Sequence, residues 1–308
     1  MIKVFIDGRE GTTGLRIDER LAGRKDIEII RLDDAHRKDD ASRKEALNSC
    51  DIAFLCLPDE AAISAVAMID NPNVRVIDAS TAHRTNPDWV YGLPELSAEQ
   101  FQKIKNSKRV AVPGCHASGF VALVKPLVDN GLLSSDAKLC CNCVTGYSGG
   151  GKKMIAEYES KERSFLLDAP RQYGITQMHK HLKEMKGITG LKNEPVFSPI
   201  VADFYSGMLM TVQLFADQLN GKRDQIIDIY KNLYNSPILK FNENIDQNGF
   251  LSATALKQKD SMQVGVLGND ERILLVAVYD NLGKGASGAA VECMNIMTGN
   301  DSALGLEL

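Results

Sequence analysis

The sequence predicts an α/β protein in which a Rossmann-type dinucleotide-binding domain joins a second, α+β catalytic domain built on a mixed or antiparallel sheet. Three observations predict it. Apolar strand segments alternate with helical segments over the first third of the chain. Glycines stand at positions 8, 11 and 14, directly after the first strand segment. From about Leu139 the texture changes to longer strands separated by polar helices.

Taken in order, "IKVFID" reads as a buried strand, "GLRIDERLAG" as a helix stopping at Gly23, "IEIIRL" as a second strand and "KEALNSC" as a helix. "DIAFLCLP" is a strand, "DEAAISAVAMI" a helix and "VRVIDAS" a strand. Uniformly apolar strands between helices indicate a parallel sheet covered on both faces. Beyond Leu139 the strands are "KLCCNCVTGY", "PVFSPIVADF", "SGMLMTVQLF", "SMQVGVLG" and "RILLVAVYDN", with helices at "GKKMIAEYESKERS" and "KRDQIIDIYKNLY". The last helix, in "DNLGKGASGAAVECMNIM", is expected to return to the first domain. The division is therefore 1–114 plus 285–308 for dinucleotide binding, and 115–284 for catalysis and oligomerisation.

At 308 residues the chain has room for two domains, and 44% hydrophobic with 25% charged residues is an ordinary globular composition. A net charge of −4 supplies no electrostatic reason to expect nucleic acid or an anionic membrane as partner. No apolar stretch approaches the ~20 residues that span a bilayer. "MIKVFIDG" runs straight into a strand, so no signal peptide is expected. Seven cysteines, an odd number and mostly inside apolar runs, suit reduced thiols in a cytoplasm. In "LCCNCV", strand alternation puts Cys141 and Cys143 on one face and Cys140 on the other. No second ligand pair follows, so that segment reads as core packing and no metal is expected.

Gly8, Gly11 and Gly14, with Thr12 and Thr13 at the opening of the following helix, form a strand–turn–helix that can present backbone N–H groups to a pyrophosphate. Asp7 precedes the first glycine, where many such folds carry something smaller or apolar. The stretch "RLDDAHRKDD" offers both acids (Asp33, Asp34) for a ribose hydroxyl and bases (Arg31, Arg37, Lys38) for a 2′-phosphate. Spacing alone leaves NAD, NADP and a merely solvated charged loop open.

"VAVPGCHASGF" places Cys115 at the first turn of a helix, between Gly114 and His116. There the helix dipole and free amides favour a thiolate, and small neighbours admit a substrate carbon. A small buried cysteine is the competing reading. His116, His179 and His181 are the candidate proton carriers, the last two in "QMHKHLKEM", with Glu184 three residues on. An incidental histidine pair on a solvated helix is the alternative. "GYSGGGKKM" matches G-x-x-x-x-G-K through Gly146, Gly151 and Lys152. Lys153 stands where magnesium binding needs Ser or Thr, which leaves a flexible site loop as the better reading.

Together these features resemble the N-acetyl-γ-glutamyl-phosphate reductases, in their shorter branch. The likeness is carried by "DGREGTTGLRI", "FLCLPDEAA", "RVIDASTAHRT", "WVYGLPEL", "VPGCHASGF", "HKHLKEM" and "YDNLGKGASGAAVE". Aspartate-semialdehyde and glyceraldehyde-phosphate dehydrogenases share the thiol logic but not these strings. The resemblance implies a semialdehyde-dehydrogenase-like fold and NADPH-dependent reduction of an acyl phosphate, through a thioester on Cys115, to N-acetyl-glutamate 5-semialdehyde in arginine biosynthesis. It implies His181 as general acid/base with His179 beside it, and Glu184 as the family's acidic residue. Arg84 becomes the candidate for an anionic substrate group, with the Gly149–Lys152 loop as a second contributor. Asn281 becomes a cofactor contact, and a cytoplasmic homo-oligomer acting on a small molecule is expected. The competing readings are a semialdehyde dehydrogenase acting on aspartyl phosphate and, in another class, a catalytically silent NADPH-sensing protein.

Overall fold

In the computed structural model, which describes residues 1–308, the chain divides into two units. One comprises Met1–Pro94, Ala98–Pro113 and Ala286–Leu306, the other Glu95–Ser97, Gly114–Gly285 and Glu307–Leu308.

The first unit is built on β1 (Ile2–Asp7), β2 (Ile27–Ile30), β3 (Ile52–Leu55), β4 (Arg75–Asp78), β5 (Val90–Tyr91) and β6 (Arg109–Ala111). They pair in parallel in the order β2-β1-β3-β4-β6-β5. The strands lack polar alternation because each face has its own core. Val4 and Ile6 of β1 join Phe54, Ile77 and Ile17 on one side. Phe5 joins Ala53, Leu55 and Val76 on the other. Helices α1 (Thr12–Leu21), α2 (Asp40–Ser49), α3 (Asp59–Ala67) and α4 (Ala98–Asn106) accompany the sheet. The C-terminal helix Gly288–Thr298 completes it: Ala290, Val291, Met294 and Met297 belong to the same core cluster as Val4 and Phe54. Strand order reverses beside β1, the switch point at which such sheets bind ligands beyond the strand C-termini.

The second unit holds β7 (Cys140–Gly146), β8 (Arg171–Gln172), β9 (Val196–Ala202), β10 (Met208–Phe215), β11 (Leu239–Phe241), β12 (Met262–Gly268) and β13 (Arg272–Tyr279), in the order β11-β12-β13-β10-β7-β9-β8. The sheet is mixed: β7 with β9 and β11 with β12 are parallel, the remaining pairs antiparallel. Cys141 and Cys143 point into the core while Cys140 is exposed, as strand alternation requires. Register places Val196, Cys140, Gln213 and Leu274 in one row across four strands, and all four are exposed.

Helices α5 (Cys115–Asp129), α6 (Gly151–Glu159), α7 (His181–Thr189) and α8 (Arg223–Leu233) belong to this unit. α5 is apolar nearly all round, so it is buried nearly all round. It carries Pro126, which lacks the N–H that would bond the Ala122 carbonyl. The Tyr234 hydroxyl donates to that carbonyl instead, at 2.7 Å, and Tyr230 donates to Leu123 O. α6 ends at Glu159, earlier than its polar sequence suggests. The Ser160 and Ser164 hydroxyls there accept from the N–H groups of Glu162 and Leu166, competing with helix propagation.

Candidate active site

β6 feeds Val112, Pro113 and Gly114 into the first turn of α5, where Cys115 opens the helix and is partly exposed. Gly114 is the N-cap and has no side chain to cap with. Its own N–H donates to Glu184 Oε1 at 2.8 Å, so a carboxylate on α7 grips the turn that carries the sulfur. From the other side the Tyr279 hydroxyl, at the end of β13, donates to Cys115 O at 2.7 Å and accepts from Gly119 N at 3.2 Å. Those are the two backbone groups that an α-helix pairs i to i+4, so the phenol is stitched into the helix ladder at the cysteine. Gly285 lies so close that a Cβ there would come within 3.2 Å of the Cys115 Cβ.

Three imidazoles stand by this turn. Ring centroids of His116 lie 5.5 Å from both His179 and His181, and those two are 4.7 Å apart. Phe197 of β9 packs edge-on against His116 and His179 at 5.1 and 5.3 Å. One ligand-type atom from each of Cys115, His116 and His181 lies within 4.8 Å of the other two. His116 is 2% exposed and bonds the Tyr173 hydroxyl through Nε2 at 2.6 Å. Burial, and secondarily the nearby His179, push its pKa from 6.5 down to about 3, so its ring stays neutral near pH 7. Burial lowers His179 as well, with Lys180 adding to the effect. His179 is half-buried, and its Nδ1 accepts from His181 N at 3.2 Å. The segment before α7 is pinned by Gln177. Its amide donates to Phe197 O at 2.8 Å and accepts from Phe197 N at 2.9 Å, imitating a neighbouring strand.

Asn281 is 1% exposed and its amide bonds at both ends, accepting from Gly207 N at 2.9 Å and donating to Ser148 Oγ at 3.0 Å. It thereby ties the end of β13 to the Tyr147–Gly150 turn, where Gly149 is exposed beside it. Lys152 is exposed in the first turn of α6. Asp280 accepts from the N–H groups of Leu282 and Gly283 and from Ser206 Oγ. Lys284, fully buried, pairs with Glu95 at 2.5 Å and holds the π-helical turn Gly283–Ser287 that abuts Cys115.

In the first unit, Gly8 has φ +83°, and a Cβ there would overlap the Cys56 carbonyl oxygen. A Cβ on Gly14 would sit 2.6 Å from Gly8 O. The turn thus packs in a form that side chains would fill, and Gly11 leaves the N–H groups opening α1 (Thr12, Thr13) without a side-chain cap. A cleft of about 410 Å³ opens there, lined by Gly8, Arg9, Arg31, Arg37, Lys38 and Arg43 among others. These residues fit a dinucleotide: donors at a helix N-terminus for the pyrophosphate, and cations at the end of β2. The acids of that stretch are matched locally, Asp33 with His36 at 2.7 Å and Asp34 with Arg37 at 3.2 Å. Asp7 is buried, and Arg43 of α2 pairs with it at 2.9 Å. Arg84 is 8% exposed and donates to Val112 O and Ala79 O, both at 2.9 Å.

The second unit therefore brings Cys115, His179, His181 and Glu184 into one cluster, and sets Asn281 beside Gly149. The glycine turn, Arg37 and Arg84 belong to the first unit. Sequence reasoning missed Tyr173 and Tyr279. Tyr279 reads as an ordinary strand residue of "RILLVAVYDN", and Tyr173 lies in a stretch without periodicity, so neither carried a signal.

A parallel-sheet unit with a glycine turn, and a mixed-sheet unit with a cysteine opening a helix beside imidazoles, define the class of semialdehyde dehydrogenases. Residues 9–104 match the family described as semialdehyde dehydrogenase, NAD binding domain, and residues 115–281 the semialdehyde dehydrogenase dimerisation domain. Solved structures with this fold include an aspartate semialdehyde dehydrogenase II from Vibrio cholerae (TM-score 0.70, 17% identity, 97% of this chain and 98% of that one). A probable aspartate-semialdehyde dehydrogenase from Pseudomonas aeruginosa is similar (TM-score 0.71, 17% identity, 96% and 98%). Among curated relatives, N-acetyl-γ-glutamyl-phosphate reductase from Sinorhizobium medicae is 44% identical over 96% of this chain and 98% of its own. N-acetyl-γ-glutamyl-phosphate reductase 2 from a Nostoc species is also 44% identical, over 99% of each chain. The chain belongs to the N-acetyl-γ-glutamyl-phosphate reductase family.

Proposed function

We propose that the protein catalyses NADPH-dependent reduction of N-acetyl-γ-glutamyl phosphate to N-acetyl-glutamate 5-semialdehyde and phosphate, a step of arginine biosynthesis. The observation that carries the reading is the partly exposed Cys115 opening α5, with nitrogen atoms of His116 and His181 within 4.8 Å, in a chain 44% identical to named reductases.

The Cys115 sulfur attacks the acyl carbon, the bond to the phosphate oxygen breaks, and phosphate leaves behind a thioester. The N–H groups opening α5 are placed to stabilise the oxyanion formed on attack. The glycine turn and the cations of the first unit would hold NADPH, which would supply a hydride to the thioester carbonyl; the carbon–sulfur bond of that adduct then breaks, releasing the aldehyde and returning the Cys115 sulfur. His181 takes the thiol proton on attack, with His179 beside it, and protonates the departing group. His116, neutral and buried, serves as wall rather than acid. Glu184 and Tyr279 are positioning residues that fix the turn carrying the sulfur. Arg84 and the Gly149–Lys152 loop are the proposed contacts for anionic substrate groups, and Asn281 a proposed cofactor-side residue that orders the Tyr147–Gly150 turn.

The exposed row Val196, Cys140, Gln213 and Leu274 supports a homo-oligomer formed through the open sheet face, in the domain whose family description names dimerisation. A cytoplasmic setting, where thiols stay reduced, fits seven free cysteines, and no helix is long and apolar enough to cross a membrane. The test is reverse turnover: NADP⁺ reduction that requires both phosphate and N-acetyl-glutamate 5-semialdehyde, with aspartate semialdehyde as comparator. Activity with aspartate semialdehyde alone, or without phosphate, overturns the reading.

A further inference from the structure

We propose that Cys115, His116 and His181 form a three-ligand site for a zinc ion, which caps the nucleophile reversibly. The donor set is one sulfur and two imidazole nitrogens, which suits Zn²⁺ and excludes the oxygen-seeking Mg²⁺ and Ca²⁺. The three ligand atoms already lie within 4.8 Å of one another. Zinc bonds of about 2.0–2.3 Å set tetrahedral edges of roughly 3.5 Å, so side-chain rotations of about 1 Å close the site.

A second observation points to a ligand at this place. His116 is 2% exposed, its Nε2 is taken by the Tyr173 hydroxyl, and its Nδ1 is buried with no hydrogen-bond partner. A buried ring nitrogen left without a partner is uncommon. In the tautomer whose Nε2–H donates to Tyr173, Nδ1 carries the lone pair, which is the outer-shell arrangement that metal-bound histidines use. Cys115 is partly exposed, giving the ion a way in and leaving a fourth position for water. On binding, the Cys115 S–H bond breaks, the sulfur's electron pair goes to Zn²⁺ and the proton goes to solvent. Coordination draws charge from the sulfur and the ion fills the space an acyl carbon must enter, so zinc inhibits and a chelator restores.

The experiment uses the whole, chelator-treated protein and reads binding rather than turnover, so its failure leaves the proposed reaction standing. Titration with Co²⁺, a spectroscopic stand-in for zinc, should give one ion per chain and a thiolate-to-cobalt charge-transfer band. Cys115→Ser should lose that band, and His116→Gln should weaken Zn²⁺ binding more than roughly tenfold. A band that persists in Cys115→Ser, or an unchanged affinity in His116→Gln, overturns the site. The unaltered protein gives an independent reading free of any folding defect in the variants. Zn²⁺ should slow iodoacetamide labelling of the Cys115 peptide, and equal rates with and without Zn²⁺ overturn the proposal.

Discussion

Buried against Phe197 and bonded to Tyr173, the His116 ring refuses a proton that the unfolded chain would accept. Its pKa falls from 6.5 to about 3, so between those values the unfolded state binds more protons and stability drops as pH falls. Above pH 6.5 the full contribution is present. At ~1.4 kcal/mol per unit the effect is of the order of a few kcal/mol. Urea midpoints of chelator-treated protein across pH 6.5 to 3 should therefore fall more steeply for the wild type than for His116→Gln; equal slopes would show that the ring is not held neutral. Cys115→Ser should abolish turnover yet retain NADPH binding by fluorescence titration, because the glycine turn and the cations proposed to hold the cofactor belong to the other unit; residual turnover removes the nucleophile assignment. At this scale the sequence was most readable where residue type is the chemistry: a cysteine between Gly114 and His116, and a histidine pair followed by Glu184. It hid the long-range partners. That Glu184 grips Gly114 N, seventy positions away, follows from packing of α7 against α5 and not from local spacing.

Among elements, α5 shows two opposed effects meeting at one glycine. Ala is favoured over Gly inside a helix by roughly 1 kcal/mol, so Gly119→Ala should stabilise α5 on propensity alone. A Cβ there, however, would sit 2.6 Å from Tyr279 Oη, 2.8 Å from its Cε1 and 3.0 Å from Met210 Cβ. Tyr279 is fully buried and cannot step aside, and overpacking of this kind costs about 1–3 kcal/mol. The clash wins. Gly119→Ala should lower the urea midpoint and slow alkylation of Cys115 by displacing the phenol that joins Cys115 O to Gly119 N; a more stable variant refutes the argument. Strand–helix alternation made the parallel sheet legible, since strands with a core on each face read as unbroken apolar runs. The two-residue strands Val90–Tyr91 and Arg171–Gln172 were not legible, because so short a segment shows no period. The early end of α6 was hidden in serines whose hydroxyls compete for backbone donors.

For the molecule as a whole, the mixed sheet's order could not be read from the chain, because it depends on pairings such as Cys140 with Gln213 that lie far apart in sequence. The exposed row through Val196 and Leu274 emerges only from that register. Val196→Asp with Leu274→Asp should lower the mass of the proposed homo-oligomer in size-exclusion chromatography with light scattering, without changing the circular dichroism spectrum. A variant of unchanged mass moves the interface elsewhere. The division into units is also interleaved along the chain. The first unit's core takes Ala290, Val291 and Met294 from the C-terminal helix. During synthesis, then, its parallel sheet emerges from the ribosome with one flank uncovered and stays so until residues 286–308 have followed the second unit out. A fragment of residues 1–113 should accordingly aggregate or bind a hydrophobic dye. Fusing residues 286–308 to it should restore cooperative unfolding, making a stretch synthesised after the whole second unit the one that closes the first.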